Sequence, residues 1–460
     1  RADIGKKADQ AEQDDVSHTC HFLRRQDITI RVPWYIFLQC LDVFDELPQP
    51  APFLVAVPSG LPYTLGGTRH PDKSREAVSR EAYMNLRETL DAIRPLDGSA
   101  AKDALARQDS LIKPLGSLGK LEDIAIQIAG ITGTVRPRTP KKCIVVMCAD
   151  NGVCEEGVSA CPISVTRSQA DNFTLGKSGI NVLSRQAGAD LRIVDIGIAD
   201  DRRTPGVIDC KIARGTRNMA KEPAMTREEA IAALEAGIRV TEALAAEGYH
   251  LLGTGEMGIG NTSTSSAMLM AFTGLPAEKV VGKGAGLTEE AYGNKIRVIE
   301  QALSVNRPDP ADPVDVLAKV GGFDIAGMAG VFLAGAALRL PVVVDGFISS
   351  VAALLACRLH PGVRDFLIPS HASAEPGYRH VMDALGLSPS LLLGMRLGEG
   401  TGAALMFRVI DAALAIADEM ATFDEGGIVN DFMVDIRSEG APADPAGYLA
   451  PTAADVRKGV

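Results

Sequence analysis

From residue 142 onward the chain alternates between short, nearly continuous apolar runs and longer segments whose apolar positions recur three and four apart. The runs "CIVVMCA" (143–149), "LRIVDIGI" (191–198), "HLLGTG" (250–255), "PVVVDGFI" (341–348) and "DFLIPSH" (365–371) show little polar alternation. Strands of that kind are buried on both faces, the condition of a parallel sheet. Between them "TREEAIAALEAGIRVTEALAAEG" (226–248) reads as a helix, with Thr226 as N-cap and Glu229 completing a capping box. This rhythm predicts a Rossmann-like α/β fold, doubly wound around a mostly parallel sheet, over 136–399.

The flanking segments lack strands. Leu86, Leu90 and Ile93 share one face of "MNLRETLDAIRPLD", and 400–420 is also helical. We therefore expect 84–135 with 400–424 to form a smaller helical domain drawn from both ends of the native chain. Residues 1–83 hold the single Trp, Trp34, and show no sustained period of 2 or 3.6. A poorly structured leader is expected there, with the native fold opening near Met84. A loose tail is expected over 425–460, where Asp, Gly, Pro and Ala dominate.

Composition narrows the function classes. The net charge of −11 argues against nucleic acid or an anionic membrane as partner, because phosphate backbones call for clustered Lys and Arg. No apolar run reaches the ~18 residues of a membrane span; "VPWYIFLQCLDVF" is broken by Gln39 and Asp42. Eight cysteines without a Cys-x-x-Cys pair read as free thiols of a cytoplasmic protein. "HTCH" (18–21) lacks further ligands, so no metal is expected.

Ligands of such folds bind in loops at the carboxyl ends of the strands. "GTGEMGIGNTSTSS" (253–266) reads as a Gly-rich turn between strand and helix, and Gly253, Gly255 and Gly258 match G-x-G-x-x-G. No acid ends a second strand about 20 residues on, as a dinucleotide site requires. What stands is a cluster of backbone N–H groups suited to phosphate, although a tight turn alone would also use these glycines. Glu256 there would repel phosphate and is expected to face a cation or a sugar hydroxyl. "GKGAGL" (282–287) is a second Gly-rich loop, followed by Lys295, whose position alone fits a site or a solvated surface equally.

The stretch 149–173 reads as one long loop, of a length often functional. His371 ends the fifth run and reads as structural rather than catalytic. Glu399 stands between Gly398 and Gly400, where small neighbours admit a ligand closely. Beside apolar Met395 and Leu397, desolvation would raise its pKa towards that of a general base. Glycines flanking an acid also occur in plain turns.

Seven ordered blocks carry more information together: "KPLGSLGKLEDIAIQIAGI", "ADNGVCEEGVSACPISVT", "ARGTRNMAKEPAMTREEA", "GTGEMGIGNTST", "KVGGFDIAGMAG", "VVDGFISSVAAL" and "MRLGEGTGAAL". From about Met84 to 425 the chain resembles the nicotinate-nucleotide:dimethylbenzimidazole phosphoribosyltransferase family. The resemblance implies phosphoribosyl transfer from nicotinate mononucleotide to 5,6-dimethylbenzimidazole or a related base. The products would be nicotinate and α-ribazole 5′-phosphate, for assembly of the cobalamin nucleotide loop. It implies a homodimer with no metal and no cofactor. It places the general base on Glu399, a second catalytic acid on Glu256, phosphate binding at Gly258 and Lys295, and a benzimidazole pocket at Cys161, Gln169 and Leu397.

The chain departs from the family pattern in one loop. Asn151 stands where His is common, Ile163 where Gln is common, and Cys161 in place of Ser or an aromatic residue; these bear on the accepted base more than on the reaction. Two other readings follow from the residues. One is an oxidoreductase with a nucleotide cofactor, from the G-x-G-x-x-G match. The other is a non-catalytic benzimidazole binder, which would have no use for a base.

Overall fold

The computed structural model describes residues 83–438, apart from 139, 285 and 432. "HTCH", Trp34 and nearly all of the expected leader lie outside the described residues, as does the tail beyond 438. Six strands form one sheet: β1 (Lys142–Ala149), β2 (Asp190–Gly197), β3 (Val207–Asp209), β4 (Leu251–Met257), β5 (Val342–Val344) and β6 (Leu367–Pro369). All neighbours pair in parallel, in the order β3-β2-β1-β4-β5-β6. This is the doubly wound order in which the chain winds outward in opposite senses from its first strand.

β1 shows why the apolar runs become strands. Every residue of it is buried, and successive side chains point to opposite faces. Val145 and Met147 enter one core with the helices α6 (Arg227–Ala246), α10 (Phe323–Ala337) and α11 (Phe347–Leu359). Ile144, Val146 and Cys148 enter a second core with α3 (Lys120–Thr132), α4 (Val165–Thr174), α5 (Gly179–Ala187) and α13 (Thr401–Glu419). Thus α3 and α13, from the two ends of the described chain, pack together on one face of the sheet. Each fully buried Leu, Ile or Phe in these cores contributes about 1.5–3 kcal/mol. Helix α6 begins as its sequence requires: the Thr226 hydroxyl accepts from Glu229 N–H and the Glu229 carboxylate accepts from Thr226 N–H.

The remaining helices, apart from single turns at Ala277–Val280 and Phe423–Gly426, are α1 (Leu86–Ala92), α2 (Gly98–Ser110), α7 (Asn261–Thr273), α8 (Glu289–Asn306), α9 (Pro313–Val320) and α12 (Gly377–Leu385). Three expectations need correction. The stretch 149–173 is not one loop: it holds a 3₁₀ turn (Gly152–Glu156) and most of α4, whose buried positions 166, 167, 170 and 173 follow helical spacing. The fourth and fifth runs yield only three strand residues each, because Phe347 already belongs to α11 and residues 361–366 form a 3₁₀ turn. Gly253 and Gly255 belong to strand β4 rather than to a turn, so the turn into α7 is only Gly258–Gly260.

Candidate active site

The crevice of such a sheet opens where the winding reverses, here between β1 and β4, outside their carboxyl ends. The turn Gly398-Glu399-Gly400 lies over β4 there, and Gly255 has no side chain because none fits. A Cβ on Gly255 would stand 2.3 Å from the carbonyl oxygen of Glu399. Gly398, Glu399 and Gly400 all have positive φ, at 83°, 62° and 91°. For a glutamate this left-handed backbone costs about 1–3 kcal/mol and persists only where surroundings over-determine it. Asp345, one residue past β5, does that: its carboxylate accepts from the N–H groups of Gly400 (3.2 Å), Gly402 (2.7 Å) and Ala403 (3.1 Å), capping α13.

The side chain of Glu399 is held at both oxygens. Oε1 accepts from Gln169 Nε2 at 2.6 Å, and Oε2 accepts from Ile180 N–H at 3.2 Å in the first turn of α5. Burial raises its pKa, the two donors pull it back, and the Asp345 charge pushes it up again. A carboxylate oxygen accepts two hydrogen bonds, so each keeps a site for a proton.

Glu256, the sixth residue of β4, joins this arrangement. Its Oε1 lies 3.4 Å from the N–H of Glu399, and its Oε2 takes a 2.5 Å bond from Asn261 Nδ2, which also donates to Asp324 Oδ2 at 2.9 Å. Burial, reinforced by the Asp324 charge, pushes Glu256 up to about 8; burial likewise pushes Asp324 to about 6. Among the described residues no Lys or Arg forms an ion pair with Glu256, Asp324 or Asp345, although all three are buried. Glu256 and Asp324, with this much anionic capacity and no Lys or Arg counter-ion, suit a ligand carrying positive charge.

Asn261 and Thr262 open α7 and face two ways. While Asn261 serves the acids, Thr262 Oγ1 accepts from Lys295 Nζ at 2.9 Å, and Gly282 C=O accepts from the same amine at 3.0 Å. Lys295 is 1% exposed, and its third proton is available. Burial lowers its pKa to about 8, against the Glu375 charge, which raises it. This amine, the N-terminus of α7 and the glycine turn together present donors of the kind that an anionic group such as phosphate would accept from. Gly258 is required in that turn: a Cβ would lie 2.5 Å from Ala149 C=O and 2.6 Å from Asp324 Oδ2.

The structure thus brings Glu399, Glu256, Gln169 and Gly258 into one neighbourhood, with Lys295 joined to it through α7. Leu397 is exposed beside the Glu399 turn, and its Cδ2 comes within 2.9 Å of a Cβ placed on Gly179. Cys161 is half-buried in the loop that leads into α4, the helix of Gln169. Asn151 is fully buried and donates from Nδ2 to Ile259 C=O at 3.3 Å, and so supports the glycine turn. His371 is buried, with Nδ1 3.1 Å from Ser370 Oγ and 3.9 Å from Asp345 Oδ1.

Sequence reasoning missed Asn261, Asp324 and Asp345. Asp345-Gly346 at the end of an apolar run was the one available signal.

A doubly wound α/β scaffold with an anion cradle and two linked buried acids at its switch point defines an enzyme site for a phosphorylated, positively charged ligand. Residues 93–428 match a family described as phosphoribosyltransferase. The chain is 55% identical over 345 residues to the nicotinate-nucleotide–dimethylbenzimidazole phosphoribosyltransferase of Ruminiclostridium cellulolyticum, covering 75% of this chain and 98% of the relative. It is 54% identical over 344 residues to the enzyme of the same name from Geobacter sulfurreducens, again with 75% and 98% covered. The crystal structure of the Thermus thermophilus enzyme superposes with a TM-score of 0.69 at 42% identity, covering 73% of this chain and 99% of that one. The chain belongs to the nicotinate-nucleotide–dimethylbenzimidazole phosphoribosyltransferase family.

Proposed function

We propose that the protein transfers phosphoribosyl from nicotinate mononucleotide to a ring nitrogen of 5,6-dimethylbenzimidazole or a related base. The C1′–N bond to nicotinate breaks with its electron pair passing to the pyridine nitrogen. A lone pair of the acceptor nitrogen forms the new C1′–N bond, and the proton on its other nitrogen passes to Glu399. The products are nicotinate and α-ribazole 5′-phosphate, a building block of the cobalamin nucleotide loop.

The observation that carries this reading is the strained Glu399, fixed by Gln169 and Ile180 N–H and joined through its own N–H to Glu256. A binder has no need to hold an acid in a left-handed turn, whereas a general base contributes typically ~10²–10⁴ in rate. Glu256 faces the charge that builds at C1′ as the pyridine leaves, the oxocarbenium character familiar from glycoside cleavage. Its raised pKa fits a donor that arrives with a cationic pyridinium and so favours the ionised form. Lys295, Thr262 and the Gly258 turn hold the 5′-phosphate; Cys161, Gln169 and Leu397 border the acceptor. No cofactor enters this chemistry.

In this reading the enzyme is a cytoplasmic homodimer. Leu392, Leu393 and Leu397, in the segment that leads into the Glu399 turn, are exposed apolar side chains that a second subunit would cover. The six described cysteines are free thiols, in keeping with a reducing compartment, and no described helix is long and apolar enough to cross a membrane. Incubation with nicotinate mononucleotide and a panel of benzimidazoles, purines and phenols, followed by mass analysis, tests the proposal. Benzimidazole ribotides are expected, and their absence with every acceptor would refute it.

A further inference from the structure

Asn261 holds two acids on a single side-chain nitrogen. Its Nδ2 donates to Glu256 Oε2 at 2.5 Å and to Asp324 Oδ2 at 2.9 Å, which uses both amide protons. Two acceptors on one nitrogen lie within the ~4–6 Å over which like charges resist joint ionisation. Asp324 is itself fixed. Its Oδ1 accepts from Ile325 N–H at 3.0 Å, and its two oxygens lie 2.6 Å from where a Cβ on Gly322 or on Gly258 would stand.

Among the described residues the charges that bear most on Glu256 are those of acids, with His371 one contact away, against Asp345 at 3.9 Å, and Lys295 bonded to Thr262, the neighbour of Asn261. Asp324 comes from α10, Asp345 from the end of β5 and Glu399 from the turn before α13; Asp150 lies beyond Asp324, and the Cys148 thiol comes from β1.

We infer that Asp324 is a positioning residue for phosphoribosyl transfer: through Asn261 it fixes the Glu256 carboxylate and sets how readily that group carries charge. The inference rests on the transferase reading, in which Glu256 acts as an anion beside C1′. Asp324 and Asn261 bias Glu256 in opposite directions. The charge of Asp324 disfavours ionised Glu256, while the N–H of Asn261 favours it. The two acids titrate as a pair, so the acid limb of the rate profile reports both. Activity that needs ionised Glu256 fades as pH falls through that limb.

The test is kcat/KM for nicotinate mononucleotide as a function of pH, at saturating 5,6-dimethylbenzimidazole, for the native enzyme, Asp324→Asn and Asn261→Ala. Asp324→Asn is expected to move the acid limb down by about one pH unit, and Asn261→Ala to move it up by a similar amount. Limbs that stay in place while both variants are slower at every pH would overturn the inference, since a merely structural role slows without shifting. Should Asp324→Asn fail to fold, Asp324→Ser, which also removes the charge, is read in its place, and an acid limb unmoved in it overturns the inference. A native enzyme that makes no ribotide from any base fails earlier, at the transferase reading, and takes this inference with it.

Discussion

The backbone N–H of Glu399 lies 3.4 Å from Oε1 of Glu256, so two acids 143 residues apart in sequence share one hydrogen bond. The proposed proton acceptor and the group proposed to face the sugar are therefore not independent. Displacement of the late turn disturbs β4's acid, and removal of that acid leaves the turn's N–H without its partner.

Glu399→Gln keeps shape and hydrogen-bonding capacity but removes basicity. Turnover is expected to fall by at least ~10² with donor affinity nearly unchanged, as for loss of a general base. Steady-state kinetics with calorimetric donor binding checks this; an unchanged kcat would exclude Glu399 as the base.

Glu399→Gly has a different signature. Glycine adopts positive φ without the strain that glutamate bears at 62°, so this variant should be more stable than Glu399→Ala, which loses the same two hydrogen bonds but keeps the strain, while both lose turnover. Denaturant unfolding of the two variants beside the rate assay separates strain from chemistry, and an alanine variant as stable as the glycine one would contradict the strain account.

Gly255→Ala places a methyl group 2.3 Å from the Glu399 carbonyl and cannot be accommodated without moving the turn. A cost of about 1–3 kcal/mol in stability is expected, with a fall in kcat far larger than the change in KM. Native-like kinetics in this variant would show that the turn tolerates displacement.

In the proposed mechanism Lys295 binds phosphate as a cation, and burial lowers its pKa to about 8. The amine is charged below that value and neutral above it, so KM for the mononucleotide should rise as pH increases through about 8. Lys295→Met should show the high KM at all pH values. A native KM that stays flat across that titration would remove the amine from the phosphate site.

Glu256 supplies a test of stability. Its folded pKa, raised from 4.5 to about 8, means that the fold prefers the neutral acid. That contribution is complete below about 4.5 and is lost as pH rises through about 8. Glu256→Gln should therefore melt higher than the native protein above about pH 8 and differ little near the lower value. Thermal scans of both proteins without ligand measure this, and parallel pH profiles would count against it.

Much of the scaffold was legible because its physics is local. The apolar run at β1 announced a strand buried on both faces, and Thr226 with Glu229 announced the start of α6. The short edge strand β3 gave no such signal, since Val207, Ile208 and Asp209 are only partly covered. Helix α4 escaped because two of its four buried positions are Thr166 and Arg167, polar residues that conceal the stripe. At the site, glycines around Glu256 imitated a loop, although Gly253 and Gly255 are strand residues stripped of side chains so that α13 and the Glu399 turn can lie close. Asp324 could not be found by pattern, because its partner comes from an element distant in sequence, and Asp345 offered only its place before Gly346 at the end of an apolar run.

The bond from Gln169 to Glu399 spans 230 residues, and it has a bearing on biosynthesis. A nascent chain emerging from the ribosome presents β1, β4 and the cradle of α7 well before the acid-bearing turn is made. Contacts of such long range are also the slow ones to form. On the proposed roles, a polypeptide halted before residue 399 carries the residues meant for the phosphate but not the one meant for the proton, so chemical competence arrives late.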